Sequence, residues 1–204
     1  MLECFSLTPE LQFGSNCYIL KSNNEYCVID PSVSYKEAIE QVGDIKGSVK
    51  YIILTHSHFD HILSLDDWIE NTGVLPSISK NGMDNVKNSK INCYRLFFGI
   101  DKAYLGDCNA LTDGDRLTLG DQTLKIVETP GHTNCSICII TDDFIFSGDT
   151  VFSGGSYGRC DLPTGNRYEL SASLERILSY EDKIIYSGHG EPTTVSRAKE
   201  YRYL

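Results

Sequence analysis

From its start the chain alternates short apolar runs with turn-forming residues. "ECFSL", "NCYILKS" and "EYCVIDPS" are rich in β-branched and aromatic side chains, and the "SNNE" between the last two is turn chemistry, so the pattern predicts strands joined by a hairpin. The period then changes. In "SYKEAIEQV" the apolar residues Ala38, Ile39 and Val42 fall at helical spacing, with Ser34 placed to cap the start and Gly43 to stop the helix. "YIIL", Tyr51 to Leu54, is a wholly apolar strand candidate, and "ILSLDDWIENTG" predicts a helix ending at Gly73. Further on, "DRLTLGDQTLKIVETPG" and "SICIITDDFIFSGD" read as hairpins turning at Gly120-Asp121 and at Asp142-Asp143. "RYELSASLERILSY" sets Leu170, Leu174, Ile177 and Leu178 on one helical face, and "KIIYSGHG" predicts a last strand before a short polar helix. Between residues 80 and 110 the pattern is weak. "NGMDNVKNSK" allows a short helix, while the aromatic-rich segment Tyr94 to Tyr104 shows no period and is assigned to the hydrophobic core.

Strands interleaved with helices in this order predict an α/β protein, with sheets packed face to face and covered by helices. No repeat or linker-like break interrupts the 204 residues, so one domain over 1–204 is expected. A net charge of −10 disfavours nucleic acid or an anionic membrane as partner. No apolar run approaches the length of a membrane span. The first residues lack the basic and apolar blocks of a secretory signal, so a cytoplasmic protein is expected. The eight cysteines are scattered, which fits reduced thiols better than a disulfide framework. Cys135 and Cys138, in "CSIC", are expected as buried core thiols.

One stretch changes the picture. "YIILTHSHFDHIL" places His56, His58, Asp60 and His61 directly behind an apolar strand, where each buried polar group needs a partner. The chain's other two histidines, His132 in "TPGHT" and His189 in "SGHG", also follow predicted strands, as does Asp149 in "FSGDT". Histidines spaced i, i+2 on an extended segment project to one side and can grip one ion; Asp60 and His61 then face a second position. Seven such ligands suffice for two ions with a water between them, and a nitrogen-and-carboxylate set without thiolate suits zinc, iron or manganese.

"THSHFDH", "TPGHT", "FSGDT" and "SGHG", in this order, resemble the metal motifs of the metallo-β-lactamase fold superfamily. Within it, "DTVFSGGSYGRCDLPTG" looks most like the short glyoxalase II-like (hydroxyacylglutathione hydrolase-like) hydrolases. The resemblance implies a four-layer αββα sandwich with the metal site at one edge of the two sheets. It implies one divalent ion on His56, His58 and His132, a second on Asp60, His61 and His189, and Asp149 bridging them, with zinc foremost and iron or manganese as alternatives. Asp30, in "VIDPS", matches a position expected to support the ligand loops; the alternative for it is an ordinary turn aspartate. The chain departs from the family pattern at Ile62, Cys135 and Ser32, where glycine is common; none of these is a matched ligand.

The chemistry so implied is hydrolysis of a small-molecule acyl thioester or ester by a hydroxide bridging the ions, with Asp60 also placed to handle a proton. Arg159, with Tyr157 beside it, aligns with a basic residue that holds a substrate carboxylate in glyoxalase II; the alternative for Arg159 is a pair with Asp161 across the same turn. Persulfide dioxygenases share the fold and most motif residues but use a single iron, which makes them the competing reading. The physiological substrate and the oligomeric state are not encoded in these motifs.

Overall fold

The structure is a computed structural model that describes residues 2–9 and 13–201. Two six-stranded sheets carry it. The first contains β1 (Glu3–Leu7), β2 (Cys17–Ser22), β3 (Glu25–Ile29), β4 (Val49–Ile53), β5 (Pro76–Ser79) and β6 (Asn109–Leu111), in that spatial order. The second contains β7 (Arg116–Leu119), β8 (Gln122–Glu128), β9 (Ile137–Ile140), β10 (Phe144–Gly148), β11 (Ile184–Ser187) and β12 (Thr193–Thr194), again in sequence order across the sheet. Helices α1 (Tyr35–Val42) and α2 (Leu65–Thr72) cover the outer face of the first sheet, and α5 (Arg167–Leu178) and α6 (Val195–Tyr201) that of the second. Short helices α3 (Gly82–Asn85) and α4 (Tyr94–Phe98) lie between β5 and β6. The result is the expected αββα sandwich.

Strand periodicity builds the layers. On β2, Tyr18 and Leu20 face the layer between the sheets while Cys17 and Ile19 face the helices. On β9, Ile137 and Ile139 point inward, and Cys138 and Ile140 outward under α5. Both sides of these strands are buried, so both parities are apolar. The turns follow the sequence: Asn23 takes a φ of 54° between the paired residues Ser22 and Glu25, and Gly120 a φ of 57° between β7 and β8. Ser34 and Glu37 form a reciprocal capping box on α1, which closes at Gly43 with a φ of 82°.

Four elements differ from the pattern-based expectation. β5 and β6 were not anticipated, because β5 opens on Pro76 and alternates in buried serines, and β6 is a three-residue strand with Asn109 and Ala110 exposed. The predicted helix from Ile62 begins only at Leu65, preceded by a 3-10 turn over Phe59–His61. Of the aromatic segment Tyr94 to Tyr104, Tyr104 is core as expected but the rest is not: α4 has no buried residue. Cys135 and Cys138 are buried as expected, and all eight cysteines are free thiols. Among the described residues no helix is long and apolar enough to cross a membrane.

Candidate metal centre

The polar segments after β4, β8, β10 and β11 meet at one edge of the sandwich. His56 and His58 follow the end of β4, His56 in a bend and His58 in extended backbone, and the 3-10 turn then brings Asp60 and His61 back towards them. His132 comes from the β8–β9 loop, Asp149 from the end of β10, and His189 from the loop after β11. The seven residues form three groups whose ligand atoms lie within 4.8 Å of one another: His56, His58 and His132; His56, His61 and Asp149; and Asp60, His61 and His189.

Asp149 sits among them. Its Oδ1 is 3.3 Å from His61 Nε2, and its Oδ2 is 3.4 Å from His132 Nε2 and 3.7 Å from His189 Nε2. Asp60 Oδ2 lies 3.1 Å from His189 Nε2 and 3.8 Å from His61 Nε2. His132 Nε2 and His58 Nδ1 approach to 2.9 Å.

A second layer of contacts aims the imidazoles. The Asp30 carboxylate accepts from Thr55 N and Thr55 Oγ1, both at 2.7 Å, and from His61 Nδ1 at 2.8 Å. Thr55 Oγ1, its own proton given to Asp30, is 3.1 Å from His56 Nδ1 and can accept from it. His132 Nδ1 donates to the Arg159 carbonyl at 2.6 Å. With Nδ1 so engaged, Nε2 of His56, His61 and His132 is left as the lone-pair nitrogen facing the cluster. Asp30 adopts a left-handed φ of 52°, a conformation aspartate tolerates better than most residues. It is a supporting residue for the ligand loops, as its motif position implied.

Electrostatics agree with ligand duty for His56, His58 and the Asp60 and Asp149 carboxylates, while at His61 the surrounding acids favour a proton that a cation would have to displace. Burial, reinforced by the neighbouring imidazoles, holds His56 well below the ordinary histidine value and His58 down to about 3, so both are neutral at pH 7. Burial disfavours a charge on His61, but Asp30, Asp149 and Asp60 around it outweigh burial and raise it. Burial likewise opposes ionisation of Asp149 and Asp60, and the surrounding histidines overcome it, keeping both carboxyls below their usual range.

The residues present fit a metal. Nε2 of His56 and of His58 is buried without a hydrogen-bond partner, and His61 Nε2 and Asp149 Oδ1, 3.3 Å apart, have no partner besides each other. A buried polar atom left unpartnered costs about 1–3 kcal/mol, and several of them converging on one small volume is what cations would relieve.

Sequence reasoning missed three contributors. Asn16, at the start of β2, donates through Nδ2 to the carbonyls of Ser187 (3.1 Å) and Gly190 (2.9 Å), and Tyr18 Oη donates to Ser187 O (2.6 Å), so the first sheet grips the His189 loop. Nothing local marks Asn16, because its partners lie far along the chain. Gly188 and Gly158 are the others. A Cβ at Gly188 would overlap Asp149 Oδ1 and lie 2.6 Å from His61 Cε1, and one at Gly158 would lie 2.8 Å from His132 Nδ1. The glycine-rich wording of "SGHG" was the available signal. Exchanging Gly188 for alanine is expected to weaken metal binding about 10- to 100-fold, read as metal retained after dialysis against a weak chelator; retention equal to that of the parent would contradict the packing described.

Of the two expectations for Arg159, the pair with Asp161 is present: Nε and Nη2 fork onto the carboxylate at 2.7 and 2.6 Å. Tyr157 is exposed and borders a groove of about 500 Å³ beneath the 153–157 loop, shared with Leu170, Leu174 and Ala198, on the helical side of the second sheet.

The model of the Metallo-beta-lactamase superfamily matches residues 11–189. Hydroxyacylglutathione hydrolase GloC of Haemophilus influenzae is 28% identical over 95% of this chain and 93% of its own. The crystal structure of BLEG-1, a B3 metallo-beta-lactamase, superposes with a TM-score of 0.87 at 27% identity, covering 99% of this chain and 98% of that one. TTHA1623, solved in a di-iron-bound form, gives a TM-score of 0.84 at 26% identity, covering 98% of this chain and all of that one (100%).

Proposed function

The chain belongs to the metallo-beta-lactamase superfamily of metal-dependent hydrolases, and from that premise we propose that it hydrolyses a small-molecule acyl thioester at a two-ion centre. The observation that carries this reading is the position of Asp149, whose two oxygens face histidines of different ligand groups and so lie between two sites. His56, His58 and His132 would hold one ion, and Asp60, His61 and His189 the other. Divalent cations bound there supply water activated at neutral pH and a positive field for the oxygen of the attacked carbonyl.

The protein's own residues do the rest. Asp30, Thr55 and the Arg159 carbonyl fix the imidazole orientations, and Asn16 holds the His189 loop against the first sheet. Asp60, more open than its buried neighbours, keeps an ionised oxygen, Oδ2, on which a proton from the attacking water can rest. All five histidines are spent in the cluster, which leaves none to protonate a leaving group. A thiolate departs near neutral pH without such help, whereas an alkoxide or amine does not. Similarity to GloC, a hydroxyacylglutathione hydrolase, supports the same substrate class.

The test is hydrolysis of S-lactoylglutathione by purified protein whose metal content is measured on the same sample, with nitrocefin as the β-lactam arm. Thioester turnover with two metals per chain, lost on chelation and restored by metal, is the expected result. One iron per chain, oxygen consumption with glutathione persulfide and no hydrolysis would replace this reading with the dioxygenase; turnover of nitrocefin alone would replace it with a lactamase.

A further inference from the structure

The metal cluster opens beside an apolar surface that neither the ligand set nor its supports require. Helix α4 places Leu96, Phe97 and Phe98 in solvent at 61%, 50% and 45% exposure, and Ile100 follows it, also exposed. The helix is anchored on Phe59, the residue between ligands His58 and Asp60: its ring lies 5.3 Å from those of both Phe97 and Phe98, and 5.7 Å from that of Tyr94. Phe13 reaches the same patch from the β1–β2 loop, edge-on to Phe98 at 6.4 Å, and two residues later Ser15 N donates to the Asp60 carbonyl.

The start of α4 is also close to the centre. Phe59 N, between His58 and Asp60, donates to the carbonyl of Asn92 at 2.9 Å, and Asn92 directly precedes Cys93 at the cap of α4. The aromatic patch therefore continues directly from the ligand loop and is not a remote surface.

We propose that α4 and Phe13 form the wall that receives the acyl group, so that this chain selects thioesters with an apolar acyl chain of several carbons over small hydroxyacyl ones. The proposal rests on the thioester reading above. A thioester extends from the reacting carbon in two directions, and common carrier thiols are polar along their length, which assigns the apolar wall to the acyl arm. Charge supports the assignment. The guanidinium groups bordering this mouth are engaged, Arg159 with Asp161 and Arg95 with Asp101 at 2.9 Å, and Lys102 lies over the Tyr94 ring at 5.6 Å. A carboxylated acyl group would find both guanidinium groups already paired, with only Lys102 lacking a carboxylate partner among these. Phe97 and Phe98 are half covered already, so an acyl chain laid along them removes apolar area from water on both partners.

The experiment compares kcat/KM of the metal-loaded protein on acetyl, butyryl and hexanoyl thioesters of glutathione, with S-lactoylglutathione alongside. Each added methylene is expected to raise kcat/KM about two- to four-fold, with hexanoyl well above lactoyl. In Phe98→Ala, and separately in Phe13→Ser from a different segment, the hexanoyl-to-acetyl ratio is expected to fall towards one. Metal content and melting temperature, measured on each variant, identify one that has simply failed to fold. Hydrolysis with no chain-length gradient, or a gradient that both folded variants retain, would overturn the acyl wall and leave the thioesterase standing. Failure of the metal-loaded protein on every thioester would overturn the thioester reading and the wall with it.

Discussion

Replacing Asp149 with asparagine is expected to cost at least about 10³-fold in kcat, a larger effect than removing one preorganised hydrogen-bond donor from an active site. Asparagine keeps the shape but loses the charge that faces His61, His132 and His189 at 3.3 to 3.7 Å. One side-chain oxygen becomes an amide nitrogen, which cannot ligate, so an atom that would face a cation becomes a donor pointed at it. Metal analysis should show fewer ions per chain. Because Asp149 belongs to none of the hydrophobic clusters, circular dichroism should show a folded protein. Full activity with unchanged metal content would remove Asp149 from the centre and, with it, the argument for two ions.

The second large effect is on stability. Exchanging Asp30 for alanine strips partners from Thr55 N, Thr55 Oγ1 and His61 Nδ1 at once, all of them buried. Breaking a buried, hydrogen-bonded ion pair from one side costs about 3–5 kcal/mol, and alanine in the left-handed conformation of residue 30 adds strain. For a chain of this size the melting temperature should drop by about 10 °C, with metal affinity about 10- to 100-fold weaker because His61 and His56 lose their orientation. Asp30→Asn keeps the backbone preference and some of the hydrogen bonds, so it should fall between the parent and alanine. A melting temperature within a degree or two of the parent for Asp30→Ala would show that this network contributes little.

What could be read from the sequence was local. The period-2 runs, the turns at Asn23 and Gly120, the capping box at Ser34 and the histidines stacked behind an apolar strand all leave their mark within a few residues. The sandwich and the ligand cluster followed from these together with the order of the motifs. What stayed hidden depends on distant contacts. Asn16 looks like any turn residue until the Ser187 and Gly190 carbonyls are placed beside it. Strand β5 has no apolar alternation because its buried serines are satisfied elsewhere, Ser79 by the Cys135 carbonyl. Helix α4 misled for the opposite reason: aromatic composition normally signals burial, and here the rings stand exposed, packed against Phe59 of the histidine-rich segment.

The candidate ligands are drawn from both sheets: His56, His58, Asp60 and His61 extend from the first, and His132, Asp149 and His189 from the second. A cation held between them binds only the closed sandwich, so its binding energy is also folding energy, about 4.1 kcal/mol when free metal exceeds its dissociation constant a thousandfold. That is a large share of the stability of an ordinary domain. Inside a cell, where unfolded chains are cleared by proteases, the abundance of this protein would then track the metal supply, and scarcity would lower the amount of enzyme as well as its activity.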